Sequence, residues 1–437
     1  MVSLLTATSC NGGEGKSGSK VVTLVYETDK REYWNSIKEG FEEAYKEEGY
    51  TLNMIPVGGG QVISKQSTMI SQNDAPDLIL GGDVHIQNQY KYLMPLNELI
   101  DRDSAEVDYK DFIPAVTDVL TLNNKVYYLP DFFNVSLLYY NKTIFDKYNG
   151  DPAHASAKIE YPNRNWDYYE DFYATAEKLT DTARGQFGCF STIGWWGEWL
   201  THIRQSGGEI MNDEGYVTLN TQAANDGIFR YYEKMYGSAQ RKRISNQKGT
   251  DDNYGDFSIG HFAMDYGGHI VNWVPLRSET VDFDWDVEFL PTVNGNRAGG
   301  ELAVNAYGIY AGTDAKDATW ELLKYMTRKR SLEEWQATQY PSCRISGKDL
   351  LLSVPKAERK QKPQNLEAVY LSLENSYCKS LPGERYFEYI NTQIIQNYIT
   401  KILENEYSNS DSRVNISEGL KKATDAANNY IRSNYKT

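Results

Sequence analysis

The feature that most constrains the fold is an alternation of apolar strands and amphipathic helices in the N-terminal part of the chain. Strands are predicted at Val21 to Glu27, Leu52 to Val57 and Pro76 to Gly82. Between them, Trp34 to Tyr45 and Val62 to Ile70 carry apolar residues at helical spacing. This rhythm indicates right-handed βαβ units and a mostly parallel sheet.

An extended, aromatic-rich segment from Val126 to Asn134, continuing to Lys142, interrupts the rhythm. Its Val, Tyr, Phe and Leu residues favour strands, whereas Pro130 lacks the backbone donor that a central strand needs. We therefore expect the chain to leave one sheet near Pro130 and to enter another. A crossing between two lobes has this character.

The same rhythm restarts beyond the crossing. The predicted helices are Trp166 to Leu179, Trp195 to Gln205 and Asn220 to Tyr236, and the predicted strands are Gly185 to Ile193, Ile259 to Gly268 and Ala303 to Ala311. The C-terminal tail shows helical patterns near Leu366 to Leu373, Ile394 to Leu403 and Ile416 to Tyr430, without a strand pattern. The sequence thus predicts an α/β protein of two doubly wound lobes with a helical C-terminal tail.

Length and charge narrow the functional classes. With 437 residues, the chain is too long for a single core. Its formal net charge of −15 argues against a nucleic-acid partner, because phosphate binding needs clustered lysines and arginines. The 34 tyrosines and 9 tryptophans suit both protein cores and carbohydrate-binding surfaces, so composition does not choose between these two uses.

The cysteines and histidines give no metal or cofactor signal. The four cysteines contain no C-x-x-C pair, and the five histidines are scattered. Cys189, Cys343 and Cys378 are expected to be inert packing residues. Cys10 differs, because it follows an apolar and then small-residue run and precedes a stretch rich in Gly, Ser and charge. This pattern predicts lipidation of Cys10 and a flexible tether; the alternative is a disordered tail with a free thiol.

The segment Trp195-Trp196-Gly197-Glu198-Trp199 is the sharpest candidate site. On a helix, Trp196 and Trp199 share one stripe and favour the core, whereas Trp195 lies off that stripe at the helix start. Open α/β sheets place ligands at such strand ends, and an indole face packs well on the C–H groups of a sugar. Trp195 is therefore the first candidate for ligand contact, and Trp196 the second.

Carboxylates are predicted at five strand exits, namely Glu27, Asp83, Asp131, Asp265 and Glu301. Carboxylates accept hydrogen bonds from sugar hydroxyls, although each one alone is more often a helix cap or a solvated charge. A glycosidase would need the same set of residues.

The sequence Gly58-Gly59-Gly60 is equally consistent with a turn that contacts a ligand and with a turn that has no ligand. The sequence shows no nucleophile elbow or metalloprotease motif, which gives no support to catalysis.

Several short motifs occur in a specific order along the chain. They are Gly40-Phe41-Glu42, Ala75-Pro76-Asp77-Leu78, Leu96-Asn97-Glu98-Leu99-Ile100, Val126-Tyr127-Tyr128-Leu129-Pro130, Leu138-Tyr139-Tyr140-Asn141-Lys142, Asn165-Trp166-Asp167, Gly260-His261-Phe262-Ala263-Met264, Leu290-Pro291, Gly299-Gly300 and Trp320-Glu321-Leu322-Leu323-Lys324-Tyr325-Met326. From Val21 to about Ser346, the chain resembles the extracellular solute-binding proteins of bacterial ABC importers, specifically the carbohydrate-binding group (family 1).

The resemblance implies a periplasmic-binding-protein-like fold of type II, with three crossings between two lobes that close on a sugar by hinge motion. The N-terminal lobe would comprise residues 21–125 and 266–312, and the C-terminal lobe residues 126–265 and 313–437, with residues 1–20 as signal remnant and tether. The implied ligand contacts are Glu27, Trp34, Gly59, Gln61, Asp83, Asp131, Trp195, Trp196, Asp265, Tyr266, His269, Gly300 and Glu301. Arg344 matches a family position that could clamp the closed form.

The resemblance also implies a role without catalysis, cofactor or metal. The expected receptor is a monomer that delivers a sugar, expected to be an oligosaccharide, to the permease subunits of an ABC importer. It would sit at the cell surface, on the outer face of the cytoplasmic membrane, held by the lipid on Cys10 alone. Two alternatives stay open: a secreted glycoside hydrolase that uses cleft carboxylates, and a peptide receptor on the same fold.

Overall fold

The computed structural model describes residues 18–192, 194–338, 340–404 and 411–435. Cys10 and the predicted tether before residue 18 lie outside these ranges. The chain divides into two compact units. The first comprises Met1–Leu80, Tyr92–Pro95 and Tyr307–Thr327, and the second Gly81–Lys91, Leu96–Ala306 and Arg328–Thr437. The boundaries proposed from the sequence for two lobes stay a prediction.

Strands and helices alternate at the N-terminal end of the described residues and occur in longer runs of one kind beyond it. The strands are β1 (Val21–Glu27), β2 (Thr51–Val57), β3 (Leu78–Gly82), β4 (Thr121–Leu122), β5 (Lys125–Val126), β6 (Leu129–Val135), β7 (Leu137–Asn141), β8 (Met264–Gly268), β9 (Trp285–Glu288), β10 (Gly300–Ile309) and β11 (Cys378–Lys379). The helices are α1 (Arg31–Ala44), α2 (Val62–Ser71), α3 (Ile86–Gln89), α4 (Asn97–Arg102), α5 (Ser104–Val107), α6 (Pro114–Thr117), α7 (Lys142–Gly150), α8 (Ala174–Leu179), α9 (Trp196–Gln205), α10 (Gln222–Tyr236), α11 (Trp273–Leu276), α12 (Lys316–Thr327), α13 (Leu332–Ala337), α14 (Ile345–Ser353), α15 (Leu366–Glu374), α16 (Phe387–Ile390), α17 (Gln396–Leu403) and α18 (Ser412–Asn434).

The first unit is built on the predicted βαβ rhythm. β1 pairs in parallel with β2 along seven residues and with β3 at Leu24 and Leu78. α1 buries Trp34, Ile37 and Phe41, which recur at helical spacing, and so supplies one apolar stripe to this unit. The strands and helices expected here are confirmed.

The second unit contains the crossing from one sheet to another. β6 pairs with β10, and β7 is the middle strand of an antiparallel sheet with β8 and β9. The predicted change of sheet is confirmed, but its predicted position at Pro130 is wrong because Pro130 lies inside β6. β6 has β10 as its partner strand, and a strand at a sheet edge tolerates a missing donor. The change occurs at Ser136 instead.

Three other strand predictions need correction. Residues 185–193 form no strand in their described part; they make isolated bridges such as Phe187 to Phe262 and Cys189 to Ser245. β8 begins at Met264 rather than Ile259, because the preceding residues form a 3₁₀ turn that ends at the left-handed Gly260. The tail contains the two-residue strand β11, which pairs in parallel with β10.

The helical tail completes a hydrophobic core in the second unit. Apolar residues of α9 and α10 pack in one cluster with those of α17 and α18, including Trp199, Ile228, Ile399 and Leu420. The tail helices predicted from the sequence are therefore confirmed.

The packing of the cysteines also follows expectation. Cys189, Cys343 and Cys378 are buried and free. Burial raises the pKa of the Cys189 and Cys378 thiols to about 12, so both are unreactive at neutral pH. In the described ranges, no helix combines the length and the apolar character of a membrane span, and no group of His, Cys, Asp and Glu has the arrangement of a metal site.

Candidate functional site

A cluster of aromatic and acidic side chains in the second unit surrounds the start of α9. Trp195 is the N-cap residue of that helix, and both Trp195 and Trp196 are half-buried. Trp199 is fully buried, as its place on the apolar stripe predicts. The indole N–H of Trp196 donates a hydrogen bond of 3.2 Å to Oε1 of Glu301. Trp196 therefore packs on the core with its ring and contacts the acidic site with its nitrogen.

Glu301, the second residue of β10, is the centre of the cluster. Its backbone N–H donates to Oγ of Ser136 at 2.9 Å, and its Oε2 lies 3.6 Å from Nε2 of His269. The same His269 nitrogen lies 3.4 Å from Oγ of Ser136. The Trp195 ring meets the imidazole edge-on, with 4.6 Å between the ring centroids. These contacts bring together four residues that are far apart in sequence.

Gly197 allows this close approach. A Cβ at this position would fall on the Trp195 ring and on the Glu301 carboxylate. The absent side chain thus lets the indole cover the first turn of α9 beside Glu301.

Burial raises the pKa of both buried acids of the site above the ordinary carboxyl value. Burial raises the pKa of Glu301 to about 7, and the charge of Asp83 acts in the same direction. Burial also raises the pKa of Asp83 to about 6, although the Val304 N–H donates to its Oδ1 at 3.0 Å. The pKa of His269 falls to about 3 through burial, so its imidazole is neutral at physiological pH. Oδ2 of Asp83 and Oε2 of Glu301 are buried and have no hydrogen-bond partner in the described part of the chain.

A buried ion pair holds the turn that carries Trp195. Glu198 accepts hydrogen bonds from the Thr192 N–H at 2.8 Å and from the Tyr231 hydroxyl at 3.0 Å, and it pairs with Lys234 on α10. The Tyr231 hydroxyl also contacts the Thr192 carbonyl at 3.0 Å. The side chain of Gln396, at the start of α17, donates to the Gly194 carbonyl. The turn before α9 is therefore bonded to two other helices.

Asp265 and Tyr266 lie next to this region in β8, and both are buried. Burial, followed by the nearby Glu198 charge, raises the pKa of Asp265 to about 8. Tyr266 stacks on His202 at 4.8 Å, and its hydroxyl donates to Gln205. Tyr266 thus behaves as a packing residue of the second unit.

Four of the predicted contacts lie in the first unit. Glu27 ends β1 and accepts a 2.7 Å hydrogen bond from the Gly60 N–H, so it closes the glycine turn that contains Gly59. Gln61 caps α2 by position. Trp34 is 1% exposed and packs edge-on against Tyr307. Its burial points to a core role, whereas Gly59 and Gln61 are exposed.

Three further predicted residues of the second unit lie outside the cluster's polar contacts. Asp131 is half-buried within β6. Gly300 packs closely against Cys378 and Ser136. Arg344 is 2% exposed; it pairs with Asp111 at 3.3 Å and donates to the Val107 carbonyl at 2.9 Å. These bonds attach Arg344 to the last residue of α5 and to the turn that follows it, and its clamp role stays a prediction.

The expectation that all five carboxylates follow strands is wrong for three of them. Glu27 and Asp83 stand at the ends of β1 and β3, but Asp131 and Asp265 lie within strands and Glu301 is near the start of β10. Sequence reasoning also missed Ser136, Glu198 and Lys234. Each of the three is a polar residue within an apolar run. This pattern indicates a buried polar contact but does not identify the residue that makes it.

Comparisons with known proteins agree with this architecture. Residues 28–332 match the family model described as bacterial extracellular solute-binding protein. The maltodextrin-binding protein MdxE of Bacillus subtilis (strain 168) is 22% identical over 347 residues, which cover 76% of this chain and 72% of that relative.

Two solved structures show the same fold. The ABC substrate-binding protein Lmo0181 from Listeria monocytogenes, in complex with cycloalternan, has a TM-score of 0.73 at 19% identity and covers 94% of this chain and 98% of its own. UgpB from Mycobacterium tuberculosis, in complex with glycerophosphocholine, has a TM-score of 0.71 at 17% identity and covers 94% and 99%. The expected periplasmic-binding-protein-like fold of type II is confirmed.

Proposed function

Because the chain belongs to the bacterial extracellular solute-binding proteins, we propose that it binds a carbohydrate and delivers it to the permease subunits of an ABC importer. The observation that carries the carbohydrate assignment is the half-buried Trp195 beside Glu301 and His269. The names of two relatives support it, since one is a maltodextrin-binding protein and another was solved with cycloalternan.

The chemistry of the cluster suits a hydroxyl-rich, uncharged ligand. The indole of Trp195 offers a flat apolar face for ring C–H groups. Asp83 and Glu301 each have a buried oxygen that can accept a hydrogen bond from a hydroxyl. Neutral His269 adds a donor and an acceptor without adding charge. Hinge closure of two lobes around the sugar is part of the proposal and comes from the family alone.

The decisive experiment is a thermal-shift screen of the purified protein against mono- and oligosaccharides, followed by calorimetric titration of each hit. A ligand at a hundredfold excess over its dissociation constant should add about 2.7 kcal/mol to the free energy of unfolding. Trp195→Ala should then weaken binding by at least about 2 kcal/mol, roughly thirtyfold, as expected for a central aromatic contact.

The matched control is Trp335→Ala, which removes another half-buried tryptophan that contacts no residue of the cluster in the part of the chain that the structure describes. Equal affinities of the Trp195→Ala variant and the parent protein would refute the role of Trp195. The titrated sugars are recovered and analysed for cleavage, since the proposal includes the absence of catalysis. Cleaved products would favour a glycoside hydrolase that uses Glu301 or Asp83 as a general acid.

The proposal extends to the cellular context. We place the receptor on the outer face of the cytoplasmic membrane as a monomer, anchored through a lipid on Cys10. The support is the residue pattern around Cys10 and the extracellular character of the family. Light scattering of the purified protein tests the monomer.

A further inference from the structure

A cavity of about 250 Å³ lies in the second unit, and no residue of the Trp195 cluster lines it. Tyr169, Phe229 and Val293 provide apolar surface on its wall. An apolar cavity of roughly 150 Å³ in another protein holds one benzene molecule. By that ratio, the cavity has room for a molecule of about ten non-hydrogen atoms.

The lining of this cavity contains two cations and two anions. The cations are Arg230 and Arg413, and the anions are Asp167 and Asp226. Arg413 and Asp226 form an ion pair of 2.9 Å, and both side chains are partly exposed. Because these two charges cancel each other, the charges available to a ligand are those of Arg230 and Asp167.

Arg230 is a buried cation that lacks a counter-ion. It is 5% exposed, and its guanidinium donates to Oγ of Ser206 at 2.8 Å and to the carbonyl of His202 at 2.5 Å. Its Nε is buried and has no hydrogen-bond partner among the described residues. Within those residues Arg230 forms no ion pair, since the buried Glu233 one turn along α10 accepts from the Tyr169 hydroxyl at 3.2 Å instead. An anionic ligand group would therefore offset the cost of burying this charge.

Asp167 supplies the opposite charge. It is half-buried at the N-cap of the helical turn Tyr168–Tyr173, where its Oδ1 accepts from the N–H groups of Tyr169 at 2.9 Å and Glu170 at 3.3 Å. Its Oδ2 accepts no hydrogen bond in the described part of the chain, and Asp167 forms no ion pair there with Arg230 or with another cation. One uncompensated anion and one uncompensated cation thus line the same cavity.

We propose that this cavity is a second ligand site, which takes a small zwitterion, an α-amino acid with an apolar side chain. The carboxylate of the ligand lies beside Arg230 and its ammonium group beside Asp167, so that each forms a charge-assisted hydrogen bond. The apolar side chain packs on Tyr169, Phe229 and Val293. The site is independent of the carbohydrate proposed for the Trp195 cluster.

Calorimetric titration with L-leucine tests the proposal, because L-leucine has the expected size and both charges. Two comparators of nearly the same shape each lack one charge: L-leucinamide has no carboxylate, and 4-methylpentanoate has no ammonium group. L-leucine should bind at least about tenfold more tightly than either comparator, since each loses one charge-assisted hydrogen bond.

Variants of the charged lining residues test the two assignments. Asp167→Asn should weaken L-leucine binding by about tenfold or more, while asparagine preserves the N-cap and hence the fold. Asp226→Asn is the matched control from the same cavity and should change the affinity by no more than about twofold, because Arg413 already neutralises Asp226. Arg230→Gln should also weaken binding by about tenfold or more, with thermal unfolding as the check on its fold.

Trp195→Ala separates this site from the sugar site, because it should leave L-leucine binding unchanged. Absence of L-leucine binding at millimolar concentration would overturn the proposal, as would equal binding of L-leucine and either comparator. Unchanged affinity in Asp167→Asn, an equal loss in Asp167→Asn and Asp226→Asn, or a loss of L-leucine binding in Trp195→Ala would also overturn it. If Arg230→Gln does not fold, the comparator ligands and Asp167→Asn decide the outcome.

Discussion

The buried ion pair between Glu198 and Lys234 gives the most stringent test of how the second unit holds Trp195. Lys234 is fully buried on α10 and Glu198 is 1% exposed on α9. Burial opposes protonation of Lys234, but the Glu198 charge outweighs it and raises the Lys234 pKa, so Lys234 is charged at neutral pH. Lys234→Met keeps a long apolar side chain and removes the cation.

The magnitude follows from what remains after the substitution. Glu198 would retain the Thr192 N–H and the Tyr231 hydroxyl as donors, but its charge would be buried without a counter-ion. Breaking a buried pair in this way costs about 3–5 kcal/mol. Removing both charges, with Glu198→Gln added, should recover most of that loss, because a buried pair and a neutral replacement differ little in stability.

Urea denaturation of each variant, followed by circular dichroism, measures the change in the free energy of unfolding. Lys421→Met is the matched control, because Lys421 forms an exposed pair of 2.8 Å with Asp425 on α18. Its loss should cost no more than about 0.5 kcal/mol. The reasoning is refuted if Lys234→Met costs as little as the control, or if the double variant is less stable than the single one.

Three further predictions concern the cluster, its electrostatics and the N-terminus. Gly197→Ala should weaken sugar binding in calorimetric titration, because the new Cβ displaces the Trp195 ring, whereas Gly150→Ala, which has open space around it, should not. Asp265 has a pKa of about 8 against an ordinary value of 3.8, so its contribution to stability is complete below pH 3.8 and is lost as the pH rises towards 8. In the Asp265→Asn variant, the free energy of unfolding should therefore decline less steeply between pH 3.8 and pH 8. Urea denaturation at a series of pH values measures this slope, and a slope equal to that of the parent protein would contradict the prediction. Cys10→Ser should move the protein from the membrane fraction to the medium of expressing cells, and continued membrane association would exclude the lipid anchor.

Much of the fold was predictable because its signals are local. The periodicity of α1 and the apolar runs of β1 and β2 predict the first unit correctly, since one face of each element must be buried. The segment 185–193 carries the same apolar signal, but its described residues form isolated bridges, because their partners come from separate segments. Strand composition shows that a segment is buried, whereas pairing depends on which neighbours the tertiary structure supplies.

The sequence predicted which types of residue form the candidate site, but not which of those residues contact one another. Helical spacing alone distinguishes Trp195, which lies off the apolar stripe, from Trp199, which lies on it. The contacts of Trp195 with His269 and of His269 with Glu301 join residues that are 74 and 32 positions apart, and sequence spacing gave no sign of them. Lys234 lies in an apolar run, but its partner was equally hidden, because a lysine on a helix is normally a solvated side chain.

The sequence by itself determined the α/β class, the change of sheet after the aromatic segment, the helical tail and the family, because these depend on periodicity and on the order of local motifs. Only the tertiary structure decided which acids are buried and which polar groups meet them. Asp83 and Glu301 have the same side-chain chemistry as exposed acids of this chain, yet burial raises the pKa of each. The physical reason is that hydration and charge–charge interaction depend on distance in space, and sequence separation does not specify that distance.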